Sequence, residues 1–215
     1  MRSKNHVLLF DTGPAFGGSF DAGSGVILPF LRQLGVQHID HLVISHGDND
    51  HQGGMASILK GVSVGKITVS SAPSGVSDVN FCRAGQAWEW DGVHYEFLMP
   101  QVNTPYLGND SSCVLRVDTG GHSALLTGDI ESSGEKTLLS LSGERLQSTV
   151  LIAPHHGSAS SSSAEFVAAV QASQVVYSAG YRSQFGHPDP QVSALYASFG
   201  VCAWSTALSG ALLFE

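Results

Sequence analysis

The strongest constraint on the fold is the run His41-Leu42-Val43-Ile44-Ser45-His46-Gly47-Asp48-Asn49-Asp50-His51-Gln52-Gly53-Gly54. Leu42, Val43 and Ile44 form a short apolar run with β-branched side chains, which suits a strand buried on both faces. The strand then breaks into a loop where His46, Asp48, Asp50 and His51 fall within six positions. Gly53 and Gly54 follow, and Met55 to Leu59 reads as the start of a helix. A buried strand feeding a polar loop and then a helix presents functional groups at the strand's carboxyl end. Imidazole nitrogens and carboxylate oxygens are the donors that a borderline cation such as zinc or manganese accepts. A solvated acidic turn with Asp50 as N-cap accounts for one Asp. It does not account for two His and two Asp packed so closely. A structural zinc site usually recruits Cys, and none lies near this loop.

The rest of the chain alternates between strand and helix signals. His6 to Thr12 reads as a strand ending in Asp11-Thr12-Gly13, where Asp11 is a candidate ligand, or accepts hydrogen bonds from the neighbouring loop, or fixes its own turn. Pro14 to Gly25 is a Gly-rich loop. Val26 to Leu34 is predicted to be a helix with Ile27, Phe30, Leu31 and Leu34 on one face, ended by Gly35 at the C′ position. Lys66 to Ser70 alternates as a strand. Asp91-Gly92 marks a hairpin between Ala87 and Met99, with Trp88, Trp90 and Tyr95 on a sheet face. Cys113 to Asp118 and Ser123 to Thr127 read as strands, the second running into Gly128-Asp129. His122 lies in the turn between them and is read as surface. Glu131 to Leu141 is helical. Thr149 to Ala153 is a third buried strand, ending in Pro154-His155-His156-Gly157-Ser158. Ser158 to Ser163 caps a helix from Ala164 to Ala172. Gln174 to Ser178 is a strand, Pro190 to Phe199 a helix, and Ala203 to Phe214 a strand or hairpin. This pattern predicts an α/β protein with an αββα sandwich, formed by residues 1–215 as one domain.

Composition limits the function. Net charge is −8 with only 10 Lys and Arg. A protein that grips nucleic acid by its backbone is usually basic, so DNA affinity of this domain alone is expected to be weak. No apolar run reaches the length of a membrane span, and the start lacks the apolar core of a signal peptide, so the chain is expected to be soluble by itself. Cys82, Cys113 and Cys202 are odd in number and widely spaced. They are expected to be buried small hydrophobes rather than a disulfide framework. Arg182 and His187, in Tyr181-Arg182-Ser183-Gln184-Phe185-Gly186-His187-Pro188, are candidate phosphate contacts. His187 is also a candidate proton donor to a leaving oxygen.

The loop His46-Gly47-Asp48-Asn49-Asp50-His51 resembles the HxHxDH signature of the metallo-β-lactamase superfamily, in the variant HxDxDH. In order along the chain come Leu8 to Gly13, Val26 to Gly35, His38 to Asp40, the loop itself, Leu126 to Asp129, Pro154 to Ser158, and Phe185 to Pro188. Together these resemble the soluble metallo-β-lactamase-like domain of the ComEC family, the membrane channel proteins of natural DNA uptake. The resemblance implies two divalent metal ions, zinc or manganese. His46, Asp48 and Asp129 would hold the first. Asp50, His51, Asp129 and one of His155 or His156 would hold the second. The third His common in the superfamily is missing here; Asn109 and Ser112 stand in its region, as in ComEC-like domains, and are read as substrate-side residues. The first metal site is then expected to be weaker. A hydroxide bridging the metals would be the nucleophile, with Asp50 and His187 as further catalytic groups. The implied substrate is the phosphodiester of incoming DNA. The implied partner is the channel portion of the same full-length protein at the periplasmic side of an inner membrane, and no nucleotide cofactor is expected. A preceding Asp-Val-Gly-Gln-Gly-like strand of the family has no match, so the first strand of one sheet is expected to be missing. The alternatives are a hydrolase of a small ester, thioester or phosphodiester, or a metal-free binding module.

Overall fold

The computed structural model describes residues 1–17 and 20–214, so Gly18 and Ser19 of the predicted Gly-rich loop, and Glu215, lie outside the described residues. The first sheet is built from strands β1 (Leu8–Phe10), β2 (His38–Ile44), β3 (Ser63–Val69) and β4 (Asn80–Phe81), in that spatial order. Neighbouring strands in it are parallel. Parallel pairing requires crossovers; the first two are helical and the β3–β4 connection is a loop. Helix α1 (Leu28–Gln33) connects β1 to β2, and the short α2 (Asn49–Gln52) and α3 (Met55–Gly61) connect β2 to β3.

The second sheet takes β5 (Ala87–Trp90), β6 (Val93–Met99), β7 (Val114–Asp118), β8 (Ser123–Leu126), β9 (Val150–Ile152), β10 (Gln174–Tyr177) and β11 (Cys202–Ser205), in the order β11-β10-β9-β8-β7-β6-β5. Strands β5 to β8 form an antiparallel meander. Its first turn has Asp91 at φ 53° and Gly92 at φ 80°, the two positive angles a tight type I′ hairpin requires. Strands β8 to β11 are parallel, with α4 (Ser132–Ser142), α5 (Ala164–Val170) and α6 (Pro190–Ser198) as crossovers and α7 (Thr206–Ser209) after β11. The predicted strand or hairpin over Ala203 to Phe214 is therefore replaced by a parallel strand followed by one helical turn.

The side-chain period of a strand divides the core into layers. Leu42 and Ile44 pack with Leu28 and Leu31 of α1 and Met55 and Ile58 of α3, on the outer face of the first sheet. Val43 points the other way and meets Leu8, Tyr95, Phe97, Leu115 and Val117 between the sheets. Val114, Leu125 and Leu151 face outward again, onto Leu138 of α4, Phe166 and Val167 of α5, and Val192 and Tyr196 of α6. Helices, sheet, sheet and helices are thus stacked as αββα. Helix α1 is rotated from the predicted phase. Leu28 and Leu31 are buried, whereas Phe30 and Leu34 are 47% and 43% exposed. A π-helical turn at Gly23–Ile27 precedes it and resets the face it presents. Gly35 follows at φ 69°, the left-handed C′ position predicted for it.

The cysteines require a correction. Cys82 and Cys113 are buried as expected, but they are joined in a disulfide, and Cys202 is exposed. Cys82 lies just past β4 and Cys113 just before β7, so the bridge ties one sheet to the other. Sequence spacing could not show it because the pairing depends on how the sheets stack. The chain-entropy relation for a separation of 31 residues gives about 3–4 kcal/mol of stabilisation. Replacing both residues by Ser is expected to lower the unfolding free energy in urea by that order; an unchanged midpoint would show that the bridge contributes nothing.

Candidate metal centre

Four chain segments meet at the carboxyl ends of parallel strands. β1 delivers Asp11, β2 delivers Ser45 to His51, β8 delivers Gly128 and Asp129, and β9 delivers His155 and His156. Gly128 sits at φ 54°, and a Cβ there would come within 2.8 Å of both Ser45 Cβ and Ser112 Cβ. Only glycine lets these backbones approach so closely. The His155 N–H donates to the Gly128 carbonyl at 3.1 Å, tying the fourth segment to the third. His155 and His156 hold consecutive left-handed backbone angles, φ 48° and 56°. Such angles cost about 1–3 kcal/mol each and persist only where surrounding packing imposes them.

Asp129 is the meeting point. Its carboxylate is nearly fully buried. His51 Nε2 lies 3.1 Å from Oδ1, and His156, His155 and His46 Nε2 lie 3.5, 3.7 and 3.8 Å from Oδ2. Asp50, in the first turn of α2, has Oδ2 at 3.3 Å from His156 Nε2 and 3.9 Å from His51 Nε2. Asp48 Oδ2 is 3.6 Å from His46 Nε2 and largely exposed.

The other side of each ring fixes its tautomer. His51 Nδ1 donates to Asp11 Oδ2 at 2.8 Å, and His156 Nδ1 donates to the Ser178 carbonyl at 2.7 Å. Ser45 Oγ donates to Asp11 Oδ2 at 2.8 Å and so can accept from His46 Nδ1 at 3.2 Å. Asp11 also accepts the Ser45 N–H at 2.6 Å. Thr12 holds the His51 carbonyl through its N–H and its hydroxyl. In the neutral rings all three Nε2 atoms are thereby left as lone-pair acceptors facing carboxylates. His51 Nε2 and His156 Nε2 are only 3.3 Å apart, and the buried His46 Nε2 has no hydrogen-bond partner. An inward-facing set made only of acceptors is stable only around positive charge. His51 reflects this: burial works to lower its pKa, but Asp11 and Asp129 outweigh it and push it up to about 11. His156 holds the Asp50 carboxyl well below its ordinary value. Burial opposes the charge on Asp129, yet the neighbouring His51 keeps its pKa low.

Asp50, His51, Asp129 and His156 each offer a donor atom within 4.8 Å of the others. Spacings between their facing atoms run from 3.1 to 3.9 Å, around the edge of about 3.3 Å expected for a tetrahedron with metal–ligand bonds near 2.0 Å. The residues present therefore fit a divalent cation. His46, Asp48 and His155 approach Asp129 or one another singly and form no second group as tight among the described residues.

The structure separates the two neighbouring histidines. His156 joins the tight group. His155 turns aside, its Nδ1 at 3.2 Å from both Glu131 Oε1 and Ser160 Oγ. The sequence carried no signal for the Glu131 contact. Asn109 Nδ2 reaches Glu131 Oε1 at 3.5 Å on the same side. Ser112 must be corrected. It is fully buried, donates to the Asn109 carbonyl at 2.7 Å and accepts the Asp129 N–H at 3.1 Å. It supports Asp129 from beneath and cannot face a substrate. The His187 ring lies 5.8 Å from His155 and 6.1 Å from His156, with Nδ1 lacking a hydrogen-bond partner. Burial and the charge of His156 keep its pKa low. Arg182 lies in the exposed segment after β10, with its guanidinium 5.4 Å from the Tyr181 ring. No contact links it to the centre among the described residues. Beside the cluster lies a cavity of about 460 Å³, lined by Leu9, Phe10, Leu126, Ile152, Val176 and Phe214.

A profile of the Metallo-beta-lactamase superfamily matches residues 1–180. The chain is 40% identical over 214 residues to Competence protein ComA of Neisseria gonorrhoeae, covering all of this chain and 30% of that protein. It is 35% identical over 204 residues to Recombination protein 2 of Haemophilus influenzae, covering 94% of this chain and 25% of that protein. It thus spans less than a third of the length of these relatives. Among solved structures, the metallo-beta-lactamase fold protein YhfI from Bacillus subtilis has a TM-score of 0.55 at 13% identity, covering 95% of this chain and 86% of that one, a likeness of fold. No helix among the described residues is long and apolar enough to cross a membrane.

Asp11 touches the ring of His51 and the hydroxyl that backs His46, so its effect is testable apart from any reaction. Asp11→Leu, which removes both acceptor oxygens at similar size, is expected to weaken zinc affinity by about 10- to 100-fold in chelator competition. Wild-type affinity in that variant would show that the rings hold their orientation without it.

Proposed function

The chain belongs to the metallo-beta-lactamase superfamily, and on that premise we propose that it is a metal-dependent phosphodiester hydrolase, a DNA nuclease acting on incoming DNA during natural transformation. The observation that carries this reading is the convergence of Asp50, His51, Asp129 and His156 into one inward-facing acceptor set. Likeness to a competence protein along the whole chain supports DNA as the substrate.

Asp50, His51, Asp129 and His156 hold one divalent cation, zinc or manganese. His46, Asp48 and Asp129 hold the other, with His155 oriented toward the same carboxylate by Glu131. Cations bound there supply Lewis acidity toward a phosphate and lower the pKa of water in the site. Asp129 would contribute to holding both cations. Asp50 is 44% exposed at its side chain, so it also faces the open side of the cluster and orients the attacking water. His187, with an unpartnered ring nitrogen beside the cluster, contacts a phosphate oxygen. Arg182 holds a non-scissile phosphate, and the Asn109 amide contributes on the Glu131 side. With a net charge of −8, DNA affinity of this domain alone is weak. The Cys82–Cys113 disulfide supports an oxidising compartment, which fits the periplasmic side of an inner membrane beside the channel portion of a longer protein.

The apolar cavity beside the cluster favours a second reading, a hydrolase of a small apolar ester or thioester. One experiment separates them. The protein is loaded with manganese or zinc, its metal content is measured, and it is incubated with end-labelled single-stranded DNA and with a panel of aryl and thioesters, alongside Asp50→Ala and a chelated control. Cleavage of DNA that falls by about 10²-fold or more in Asp50→Ala and vanishes on chelation is expected. Equal cleavage by wild type and variant rejects the assignment of the site. Ester turnover without DNA cleavage establishes the second reading, and failure to take up metal leaves a binding module.

A further inference from the structure

The segment from Ser178 to Asp189 arches beside the metal centre and is pinned at both ends. His156 Nδ1 donates to the Ser178 carbonyl at 2.7 Å, and the Asp189 N–H donates to the Gly157 carbonyl at 2.8 Å. Between these anchors, two aromatic side chains stand in solvent. Tyr181 is 72% and Phe185 69% exposed. Phe185 is not free to wander. Its N–H donates to Ser183 Oγ at 3.3 Å, and the Gly186 N–H closes a turn onto the Ser183 carbonyl at 3.0 Å.

The rings are aligned with the centre. His187 stacks on His156 with centroids 6.1 Å apart and planes 28° apart, and Phe185 stacks on His187 at 5.9 Å and 20°. A column of near-parallel rings therefore runs from an imidazole whose Nε2 faces Asp50 and Asp129 to a phenyl ring that ends in water. Arg182 adds a cation against the Tyr181 ring, 5.4 Å from its centroid.

We propose that Phe185, with Tyr181 exposed in the same segment, is a stacking platform for unpaired nucleobases, which sets single-stranded DNA as the preferred substrate of the site. The proposal rests on the nuclease reading and adds the element that selects the strand form. Three considerations point to a base rather than another occupant. A phosphate bound at the cation cluster places its own nucleoside within reach of rings contiguous with that cluster. The exposed face of Phe185 extends an existing stack, and every base has a π-face that can continue it. Finally, a chain of net charge −8 with only 10 Lys and Arg offers little basic surface for the backbone away from the cations, so a largely charge-independent contact adds affinity that charge does not. In a duplex each internal base already has neighbours on both faces, so only a single terminal face is left to the platform.

The test uses the metal-loaded protein and reads binding separately from cleavage. Fluorescence anisotropy would compare a labelled oligo-dT, an abasic oligonucleotide of the same length and a blunt hairpin, using nuclease-resistant phosphorothioate backbones. Wild type is expected to prefer oligo-dT to both others. Phe185→Ala should weaken oligo-dT binding by about 5- to 100-fold, leave the abasic strand unchanged and retain the wild-type melting temperature, while Phe185→Trp should restore binding. Equal affinity for oligo-dT and the abasic strand, or no loss in Phe185→Ala, would overturn the platform even if the protein cleaves DNA. A preference for oligo-dT that depends on Phe185 would support it even if no cleavage were seen, in which case only the nuclease reading falls. If Phe185→Ala instead weakens all three oligonucleotides equally, the ring serves loop structure or a protein neighbour, and the proposal fails.

Discussion

One buried carboxylate organises this end of the molecule. Asp129 is surrounded by the Nε2 atoms of His46, His51, His155 and His156, all within 3.8 Å of its oxygens. Each ring comes from a turn at the end of a parallel strand, and hydrogen bonds behind His46, His51 and His156 keep those three lone pairs turned inward. Leaving so many acceptors face to face is unfavourable in a low-dielectric interior unless positive charge sits among them. The site is thus built as a receptor for cations before any substrate arrives.

The fold supplies what this arrangement needs. Two sheets stacked face to face bring the ends of β1 and β2 opposite those of β8 and β9. Asp11 leaves one strand to orient rings carried by another, and Ser112 holds the Asp129 backbone from below. The disulfide joins the sheets close by. The Cys113 N–H donates to the Ser45 carbonyl at 2.8 Å, so the residue that backs His46 is attached directly to the bridge. The strained pair His155 and His156 is tolerated because Gly128, Gly157 and the Ser178 carbonyl all constrain it. Removing freedom from these turns holds the donor atoms in place, which a cation with short, directional bonds requires.

The same geometry leaves the outer side of the centre open and sparsely charged. Exposed aromatic rings, rather than a basic groove, border it on the His156 side, and an apolar cavity lies behind it.

Local chemistry was legible in the chain alone. The apolar run from Leu42 to Ile44 marked a buried strand, the HxDxDH loop marked a cation site, Asp91-Gly92 marked a hairpin, and Gly35 marked a helix end. Each signal lies within a few residues, where periodicity and side-chain type are sufficient. Tertiary structure alone decided which of His155 and His156 joins the tight group, because both occupy the same turn and differ only in the partner each Nδ1 finds, Ser178 or Glu131. It also decided that Ser112 lies beneath Asp129, that Cys82 pairs with Cys113, and that α1 presents Leu28 rather than Phe30 to the core. All four depend on contacts between segments far apart in the chain, and such contacts follow from how sheets and helices stack, which no short stretch of sequence encodes.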